Sequence, residues 1–438
     1  MDLGFETIGN ATLICHDRGP LLATDPWLVG PAYFGSWTLS HRIPDEQLEA
    51  IRAARYLWIS HGHPDHLSFE SLELLRGVPI LLPDHRGGRI AAGLREAGFD
   101  VRVLQDGRWT PLSDRVRVLC IGDYCQDAVL LIDMDGRLLV DSNDASDRGG
   151  GAFLRETARR FEESFLLSLS GYGDADMINF LDEEGRRILP GAAEKPATGK
   201  GISGVLEYYG IRRYVPFSTM HRYQRTDSAW ANEYTTEVAD FAVGFELEPE
   251  RLLPGFVRYD LVTGEHARID PEPVPGELHE PEEFGDSWSE ELEPADVREL
   301  ESYFGAIAHL STFLGYLTFR VGGAEHTIDV ARDRFERGIS FEVPRGSLMT
   351  AVRHRVFDDL LIGNFMRTTL HGPWHHRGEQ GLYPDFSPFV GKFADNGGAR
   401  SAAELRSYFE DYRARGFFGP GPTELEQRLH AAVEAYLA

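Results

Sequence analysis

The residues best suited to chemistry in this sequence lie in one short run, Ser60-His61-Gly62-His63-Pro64-Asp65-His66. The run follows the apolar segment Tyr56–Ile59, which predicts a strand. Histidines this close repel one another when protonated, whereas neutral imidazole is a good metal ligand, so a bound cation accounts for the cluster better than an accidental His-rich turn. Alternate residues of an extended loop point to one side. We therefore predict that His61 and His63 hold one metal ion, while Asp65 and His66 face a second.

The elements that must position this run are short apolar strands and amphipathic helices, which alternate through the first half of the chain. The predicted strands are Phe5–Ile8, Ala11–Cys15, Leu21–Thr24, Tyr56–Ser60, Pro79–Leu82, Arg115–Gly122, Ala128–Met134, Arg137–Asp141, Phe165–Ser170 and Tyr214–Phe217, and the predicted helices are Pro44–Ala54, Ser68–Leu75, Gly88–Ala97, Gly151–Glu163 and Gly201–Tyr209. Strands outnumber helices, and the Asp135-Gly136 turn predicts a hairpin among the crossovers. This pattern favours a layered α/β sandwich over a purely parallel sheet.

The pattern H-x-H-x-D-H after a strand resembles the signature of the metallo-β-lactamase superfamily. The resemblance implies an αββα sandwich with a two-metal site between its sheets. It also implies a bridging aspartate after a hairpin strand, for which Asp144 is the candidate and Asp141 the alternative. The last histidine ligand of the superfamily follows a late strand, and His221 after Tyr214–Phe217 fits that place. A surface histidine is the alternative interpretation of His221.

One ligand position departs from the superfamily pattern. Hydrolytic members place a histidine shortly before the hairpin, but no histidine occurs between His85 and His221. The resemblance puts this position at or near Asp123, with Asp127 as the second candidate and a turn-capping role as the alternative. Hard carboxylate oxygens suit iron or manganese better than zinc. A carboxylate in this position resembles the dinuclear iron oxygenases of the superfamily, in which Asp123 and Asp144 would be catalytic as metal ligands.

Longer segments are similar to the hydrolase-like domain of CMP-N-acetylneuraminate hydroxylase relatives. These segments lie at Ile8–Thr12, Thr24–Leu28, Pro216–Asn232 and Leu360–Phe365. That family's Rieske iron–sulfur module needs two cysteine and two histidine ligands, an arrangement that Cys15, Cys120 and Cys125 do not provide. Both resemblances together point to the metallo-β-lactamase-fold diiron hydroxylases of platensimycin and platencin biosynthesis. They imply a bulky terpenoid-derived substrate carried as a thioester.

The composition excludes some classes of partner. The 438 residues carry a formal net charge of -26, from 44 Lys and Arg against 70 Asp and Glu. Such an acidic surface repels phosphate backbones, so neither nucleic acid nor an anionic membrane is expected as a partner. Three cysteines without even spacing are typical of a reducing compartment, and the N-terminus lacks a signal-peptide pattern, so the expected location is the cytoplasm.

The length predicts two units. Residues 1–269 are expected to form the metal-binding sandwich and residues 295–438 a C-terminal α+β region. Residues 270–294 are acidic and rich in proline, which predicts an exposed linker or an extended wrap-around segment. The C-terminal region is expected to cap the active site or to form a homodimer interface. Its predicted elements are helices Ala295–Ala308, Leu348–Phe357, Ala402–Ala414 and Glu424–Ala438 and strands Tyr316–Val321 and Ile339–Val343.

The combined observations predict a nonheme diiron, O2-dependent monooxygenase that hydroxylates a small natural-product intermediate. It would use two iron ions, take O2 as co-substrate and receive electrons from an external reductase, because the sequence carries no flavin or nicotinamide fingerprint. The alternative is a dinuclear zinc or manganese hydrolase of a phosphodiester, lactone or amide. Tyr172, Asp174, Met177 and Phe180 lie on loops expected near the metals and are the candidate substrate contacts, with ordinary loop packing as the alternative.

Overall fold

The computed structural model describes residues 1–171, 177–188, 196–374, 382 and 385–438. The strands, in chain order, are β1 Leu3–Ile8, β2 Thr12–Asp17, β3 Pro20–Thr24, β4 Trp37–Leu39, β5 Tyr56–Trp58, β6 Ile80–Pro83, β7 Val101–Leu104, β8 Thr110–Pro111, β9 Val116–Gly122, β10 Ala128–Met134, β11 Arg137–Asn143, β12 Glu163–Leu169, β13 Phe180–Leu181, β14 Arg187–Ile188, β15 Arg213–Phe217, β16 His221–Tyr223, β17 Val257–Asp260, β18 His266–Arg268, β19 Tyr316–Val321, β20 Ala324–Asp329, β21 Gly338–Glu342 and β22 Arg367–His371.

Ten α-helices are found within the described residues. They are α1 Asp45–Arg52, α2 Phe69–Glu73, α3 Arg89–Glu96, α4 Gly151–Ala158, α5 Thr198–Tyr209, α6 Pro294–Gly305, α7 Arg345–His354, α8 Phe357–Ile362, α9 Ala402–Ala414 and α10 Glu424–Leu437. A π-helix spans Pro388–Asn396, and short 3-10 helices span Ala229–Tyr234, Asp240–Ala242, Pro249–Arg251, Pro281–Phe284 and Ala308–Thr312. In this part of the chain, no helix combines the length and the apolar character that crossing a bilayer requires.

Two β-sheets face each other in the first part of the chain. The first has the strand order β18-β17-β1-β2-β3-β5-β6-β7 and the second β15-β12-β11-β10-β9-β8. Their facing sides share a buried core, in which Phe5 of β1 meets Phe165 of β12 edge to face, with ring centroids 5.2 Å apart. Their outer sides pack against helices through Ile51 of α1, Leu94 of α3 and Leu206 of α5. The predicted αββα sandwich is confirmed.

The hairpin between β10 and β11 leads the chain toward the candidate site. Asp135 and Gly136 occupy its turn with positive φ angles of 51° and 82°, and Met134 pairs with Arg137 across it. Two residues with positive φ give a turn whose twist matches that of the strands. After the hairpin, β11 pairs in parallel with β12, and β12 with β15. The carboxyl ends of these three strands therefore lie at one edge of the sheet, where α/β folds bind their ligands.

The C-terminal region builds a separate six-stranded sheet with the order β14-β13-β22-β21-β19-β20. Its core includes Leu300 of α6, Leu348 of α7 and Phe357 of α8. Strands β13 and β14 come from residues 180–188, so the chain leaves the sandwich, adds two strands to this sheet and returns. The sequence pattern missed these strands because each is only two residues long. Phe180, a candidate substrate contact, is consequently buried in the core of the C-terminal region.

The acidic stretch 270–294 lies against the sandwich. Val274 donates its backbone N–H to Ser40 O at 2.9 Å, and Pro273 forms a β-bridge with His41. Further along, Asp286 accepts a hydrogen bond from the fully buried Arg225 at 2.7 Å. The stretch is mostly exposed and makes these contacts along its length.

Candidate metal centre

The first half of the histidine run comes together with the aspartate that follows the hairpin. Ligand atoms of His61, His63 and Asp144 all lie within 4.8 Å of one another. His61 Nε2 is 2.9 Å from His63 Nδ1 and 3.9 Å from Asp144 Oδ2. The two histidines follow β5 of the first sheet and Asp144 follows β11 of the second, so both sheets contribute to the group.

His66, with Asp65 beside it, also lies close to Asp144. His66 Nε2 is 3.1 Å from Asp65 Oδ2 and 3.4 Å from Asp144 Oδ2. The same oxygen of Asp144 therefore lies near both His61 and His66, whose ring centroids are 4.3 Å apart. This is the position expected of a carboxylate that bridges two metal ions. The alternative candidate, Asp141, lies inside β11, where it pairs with Leu130 of β10.

Asp25 fixes the orientation of His66 from behind. Asp25 Oδ2 is 3.1 Å from His66 Nδ1, so Nε2 is the ring nitrogen turned toward Asp65 and Asp144. Ser60 donates its backbone N–H to Asp25 Oδ1 at 2.8 Å and its hydroxyl to Oδ2 at 2.6 Å, and Asn143 donates to Oδ2 at 2.5 Å. Such a carboxylate behind a ligating histidine fixes the ring and raises its basicity. The parallel pairing of β3 with β5 places Asp25 beside Ser60.

Asp65 is held in the same way by two residues far away in the sequence. Asn10 Nδ2 donates to Asp65 Oδ2 at 2.8 Å, and the Tyr33 hydroxyl donates to Oδ1 at 2.5 Å. Neither partner was identified from the sequence, although Asn10 lies in a segment similar to the hydroxylase relatives. The pKa of Asp65 is lowered despite its burial, because His66 and the Tyr33 hydroxyl stabilise the carboxylate.

The three imidazoles have contrasting electrostatic environments. Burial and the neighbouring His66 and His63 lower the pKa of His61 well below its usual value. Burial acts the same way on His66, but the carboxylates of Asp65 and Asp144 outweigh it and raise the pKa of His66 well above its usual value. Positive charge is therefore favoured at His66, where a metal cation can take the place of a proton.

The donor set fits transition-metal ions. Two ring nitrogens face each other at 2.9 Å, at His61 and His63, and buried carboxylates adjoin them. A cation shared by such nitrogens uses both lone pairs, and imidazole with carboxylate is a common donor set for iron, manganese and zinc. His61, His63, Asp65, His66 and Asp144 are the residues placed to hold two such ions.

Within the described residues, the group of close ligand atoms around His61 and His63 does not include His221. His221 begins the short strand β16, which pairs with β4, and its ring stacks on Trp37 with centroids 3.4 Å apart. At the end of β15 it is Ser218 that reaches the site, donating its hydroxyl to Asp144 Oδ1 at 2.5 Å. Ser218 has a positive φ of 59°, a turn that the sequence did not reveal. The predicted role of His221 as a ligand stays a prediction.

Asp123 is also directed elsewhere. Its carboxylate forms a buried ion pair with Arg148 and accepts the backbone N–H groups of Cys125 at 2.7 Å and Asp127 at 3.2 Å. This is the turn-capping arrangement that the sequence left open as an alternative. Burial raises the pKa of Asp123 to about 6, with the Arg148 charge opposing the shift. The second candidate, Asp127, lies 3.5 Å from Lys392 Nζ. Neither aspartate joins the histidine group, and ligation by either stays a prediction.

Helix α8 brings two carboxylates that the sequence reasoning missed. Ligand atoms of His63, Asp358 and Asp359 all lie within 4.8 Å of one another, and Asp358 Oδ2 is 3.3 Å from His63 Nε2. Both carboxylates are buried, with exposed fractions of 4% and 8%. Burial and the adjacent Asp358 raise the pKa of Asp359 well above its usual value. The signal that could have found them is a pair of adjacent acids inside the apolar run Val356–Phe365.

The structure describes two of the four candidate substrate contacts, Met177 and Phe180. Tyr172 and Asp174 lie outside the described residues. Met177 is partly buried, and the Ser387 hydroxyl lies 3.3 Å from its sulfur. Phe180 belongs to the core of the C-terminal region, as described above.

The chain is similar to known hydroxylases over part of its length. It is 31% identical over 187 residues to cytidine monophosphate-N-acetylneuraminic acid hydroxylase from Asterias rubens, and 28% identical over 209 residues to the enzyme of that name from Macaca mulatta. The matches cover 39% and 43% of this chain but only 28% and 35% of those proteins. No family model matches the chain.

Solved structures similar to this chain include the diiron β-hydroxylase CmlA from Streptomyces venezuelae, at 16% identity and a TM-score of 0.35, covering 57% of this chain and 48% of that one. They also include the metallo hydrolase Igni18 from Ignicoccus hospitalis, at 14% identity and a TM-score of 0.36, covering 55% and 88%. The sequence similarity confirms the resemblance to the hydroxylase relatives. With the site geometry, it supports a metal-dependent enzyme of the metallo-β-lactamase fold.

Proposed function

We propose that this chain is a nonheme diiron hydroxylase that inserts one atom of O2 into a C–H bond of a small organic molecule. The observation that carries the proposal is the donor set, in which the buried carboxylates of Asp65 and the α8 pair and the partly exposed carboxylate of Asp144 lie close to three imidazoles. Hard anionic oxygen favours iron or manganese over zinc and stabilises oxidised iron. The partial similarity to hydroxylases supports the same reaction class.

Two iron ions, when bound, would supply the redox chemistry, with one oxygen atom going to the product alcohol and the other leaving as water at the expense of two electrons from an external reductase. The residues of this chain set the geometry. Asp25 keeps His66 Nε2 turned toward the ions, and Ser218 engages Asp144 Oδ1, so that Oδ2 faces His61 and His66. Asn10 and Tyr33 hold Asp65 from the opposite side.

For the substrate we propose a terpenoid-derived intermediate presented as a thioester, with Met177 as an apolar contact. Of the cations that the structure describes, Arg148 is paired with Asp123 and Lys392 with Asp127. A nucleotide sugar would bring phosphate charge that these cations are not free to neutralise. An apolar substrate without phosphate at its reacting end therefore suits the site better.

Metal content and oxygen dependence test the proposal. Protein purified anaerobically from iron-supplemented cells should contain two iron ions per chain by elemental analysis. After reduction and exposure to isotopically labelled O2, a terpenoid thioester should gain one labelled oxygen atom, detected by mass spectrometry. Stoichiometric zinc, together with hydrolysis of a phosphodiester, lactone or amide and no incorporation of label, would instead establish the dinuclear hydrolase.

A further inference from the structure

We propose that a cavity between β4, the loops that flank it and the acidic stretch binds a medium-chain carboxylate, with the apolar chain inside the cavity and the carboxylate on Arg42. The cavity has a volume of about 240 Å³. Of the described residues that line it, none is a candidate metal ligand. The inference therefore goes beyond the proposed hydroxylase function and does not rest on it.

The wall of the cavity is mainly apolar and comes from three parts of the chain, namely the loop after β3, the segment from β4 into α1, and the acidic stretch. Its apolar members are Leu28, Val29, Leu39, Ile43, Leu48 and Val274. Ile43 is buried at 4% exposure, whereas Val29 is 42% exposed. The apolar wall thus continues from the interior to the solvent at Val29, where a ligand would cover it.

The volume of the cavity sets the length of the chain that it can take. A water molecule occupies about 30 Å³ in the liquid, so the cavity holds about eight groups of that size. Because a methylene group is similar in size to water, a straight chain of about eight carbon atoms fits. The bulky terpenoid-derived substrate is larger than this, so the cavity is a site for a different molecule.

Cations lie at the polar side of the cavity. Arg42 and His41 both line it, and the backbone N–H of Arg42 donates to Glu272 O at 2.8 Å. Burial and the nearby charges of Arg222 and Arg268 lower the pKa of His41. Among the residues that the structure describes, no ion pair joins Arg42, His41 or Arg222 to a carboxylate. In a chain of net charge -26, cations without acidic partners suit an anionic ligand.

A carboxylate matches Arg42 better than a phosphate does. The guanidinium offers two parallel N–H donors, a geometry that fits the two oxygens of one carboxylate. A phosphate monoester carries more negative charge, which the acidic surface of the protein repels. Arg42 directly precedes Ile43, so a head group on the guanidinium leaves the rest of the ligand beside the apolar wall.

Such a ligand would connect the sandwich with the acidic stretch. The stretch already follows the segment after β4, since Val274 donates its backbone N–H to Ser40 O and Pro273 forms a β-bridge with His41. A chain that contacts both Val274 and Leu39 would add apolar contacts to these backbone interactions. Bound ligand should therefore hold the stretch more firmly against the sandwich.

Calorimetric titration of the full-length chain with octanoate tests the assignment. The wild type should bind one octanoate per chain, and neutral octanamide about tenfold more weakly. Arg42→Gln should weaken octanoate binding about tenfold and leave octanamide binding unchanged, because only the charged head group loses its partner. Val29→Trp, which places a large side chain at the exposed edge of the cavity, should weaken both. Arg298→Gln in α6 is the matched control, since it removes the same charge from an exposed residue that does not line the cavity.

Limited proteolysis supplies a second readout. Octanoate should slow cleavage within residues 270–294 of the wild type and of Arg298→Gln, but not of Arg42→Gln. Absence of saturable octanoate binding by the wild type, or equal weakening by Arg42→Gln and Arg298→Gln, would overturn the proposal. Binding that survives Arg42→Gln and disappears when metal is removed would also overturn it, because the carboxylate would then lie on the metal centre.

Discussion

At the scale of single residues, the candidate centre depends on side chains that hold the ligands as much as on the ligands themselves. Asp25, fully buried, accepts hydrogen bonds from Ser60 and Asn143 while facing His66 Nδ1. Asn10 and Tyr33 do the same for Asp65. His66 and Asp65 would therefore meet a metal ion in an orientation set before binding, which lowers the entropic cost of assembling the candidate site.

Asp25→Asn tests this pre-orientation. The amide keeps the shape of the side chain but presents an NH2 group to donors that need an acceptor, so His66 should lose its fixed orientation. We expect about 10- to 100-fold weaker binding at the site formed by Asp65 and His66, with the His61–His63 site much less affected, as measured by Mn²⁺ calorimetry. Glu156→Gln is the control. Glu156 lies in the last turn of α4 and forms an exposed ion pair with Arg160, which follows the helix. Unchanged affinity in Asp25→Asn would show that His66 needs no such support.

At the scale of elements, the site is built where strand ends of both sheets meet one short helix of the C-terminal region. The ends of β5 and β11 supply the histidine run and Asp144, and α8 supplies the two missed carboxylates. The π-helix Pro388–Asn396 packs against α8, where Gly391 lies close to Asp358. It also places Lys392 Nζ 3.5 Å from Asp127 Oδ1. π-helical turns are frequent at functional sites. The close approach at Gly391 is what permits this arrangement.

Gly391→Ala should disturb the site through α8. Its Cβ would lie 2.5 Å from Asp358 Cγ, so either Asp358 or the π-helix must move. Overpacking of this kind costs about 1–3 kcal/mol of unfolding free energy. We expect that loss in urea unfolding, together with weaker binding of the metal held by His63. Gly204→Ala in α5 is the control, since nothing lies within 4 Å of its Cβ position and the change should stabilise the protein by about 0.5–1 kcal/mol. Equal changes in unfolding free energy for Gly391→Ala and Gly204→Ala would contradict the close packing of Gly391 against Asp358.

At the scale of the whole molecule, the acidic stretch ties the two units together. Arg225 of the sandwich, fully buried, donates to Asp227, to Asp286 of the stretch and to the backbone oxygen of Phe34. Asp286 in turn accepts from the backbone N–H and hydroxyl of Ser347 in α7. One guanidinium thus connects the sandwich, the wrap-around segment and the C-terminal region.

Arg225→Met should loosen this connection. Removing one partner from a buried ion pair leaves Asp286 without its cation and costs about 3–5 kcal/mol. We expect a lower midpoint in urea unfolding and faster proteolysis within residues 270–294. Arg268→Met is the comparison, because Arg268 and its partner Asp270 are both exposed and the change should stay within about 0.5 kcal/mol. Proteolysis of the stretch at the wild-type rate in Arg225→Met would mean that other contacts hold it.

The sequence by itself determined the sandwich and the histidine run, because both are local in origin. Alternating apolar patterns predicted most strands to within a few residues, and the Asp135-Gly136 turn predicted the hairpin that delivers Asp144. Ligand spacing in H-x-H-x-D-H needs no long-range contact to be recognised. The tertiary structure decided which distant side chains meet that run. Asp358 and Asp359 lie almost 300 residues further along the chain, and only the packing of α8 between two cores brings them to His63.

Likewise, the sequence does not show that the carboxylate of Asp123 forms an ion pair with the buried Arg148. His221 follows the expected strand, but pairing of β16 with β4 stacks it on Trp37. Such outcomes depend on which charges and surfaces become neighbours at low dielectric. A local pattern records the chemical type of a side chain, whereas its partner is set by the fold.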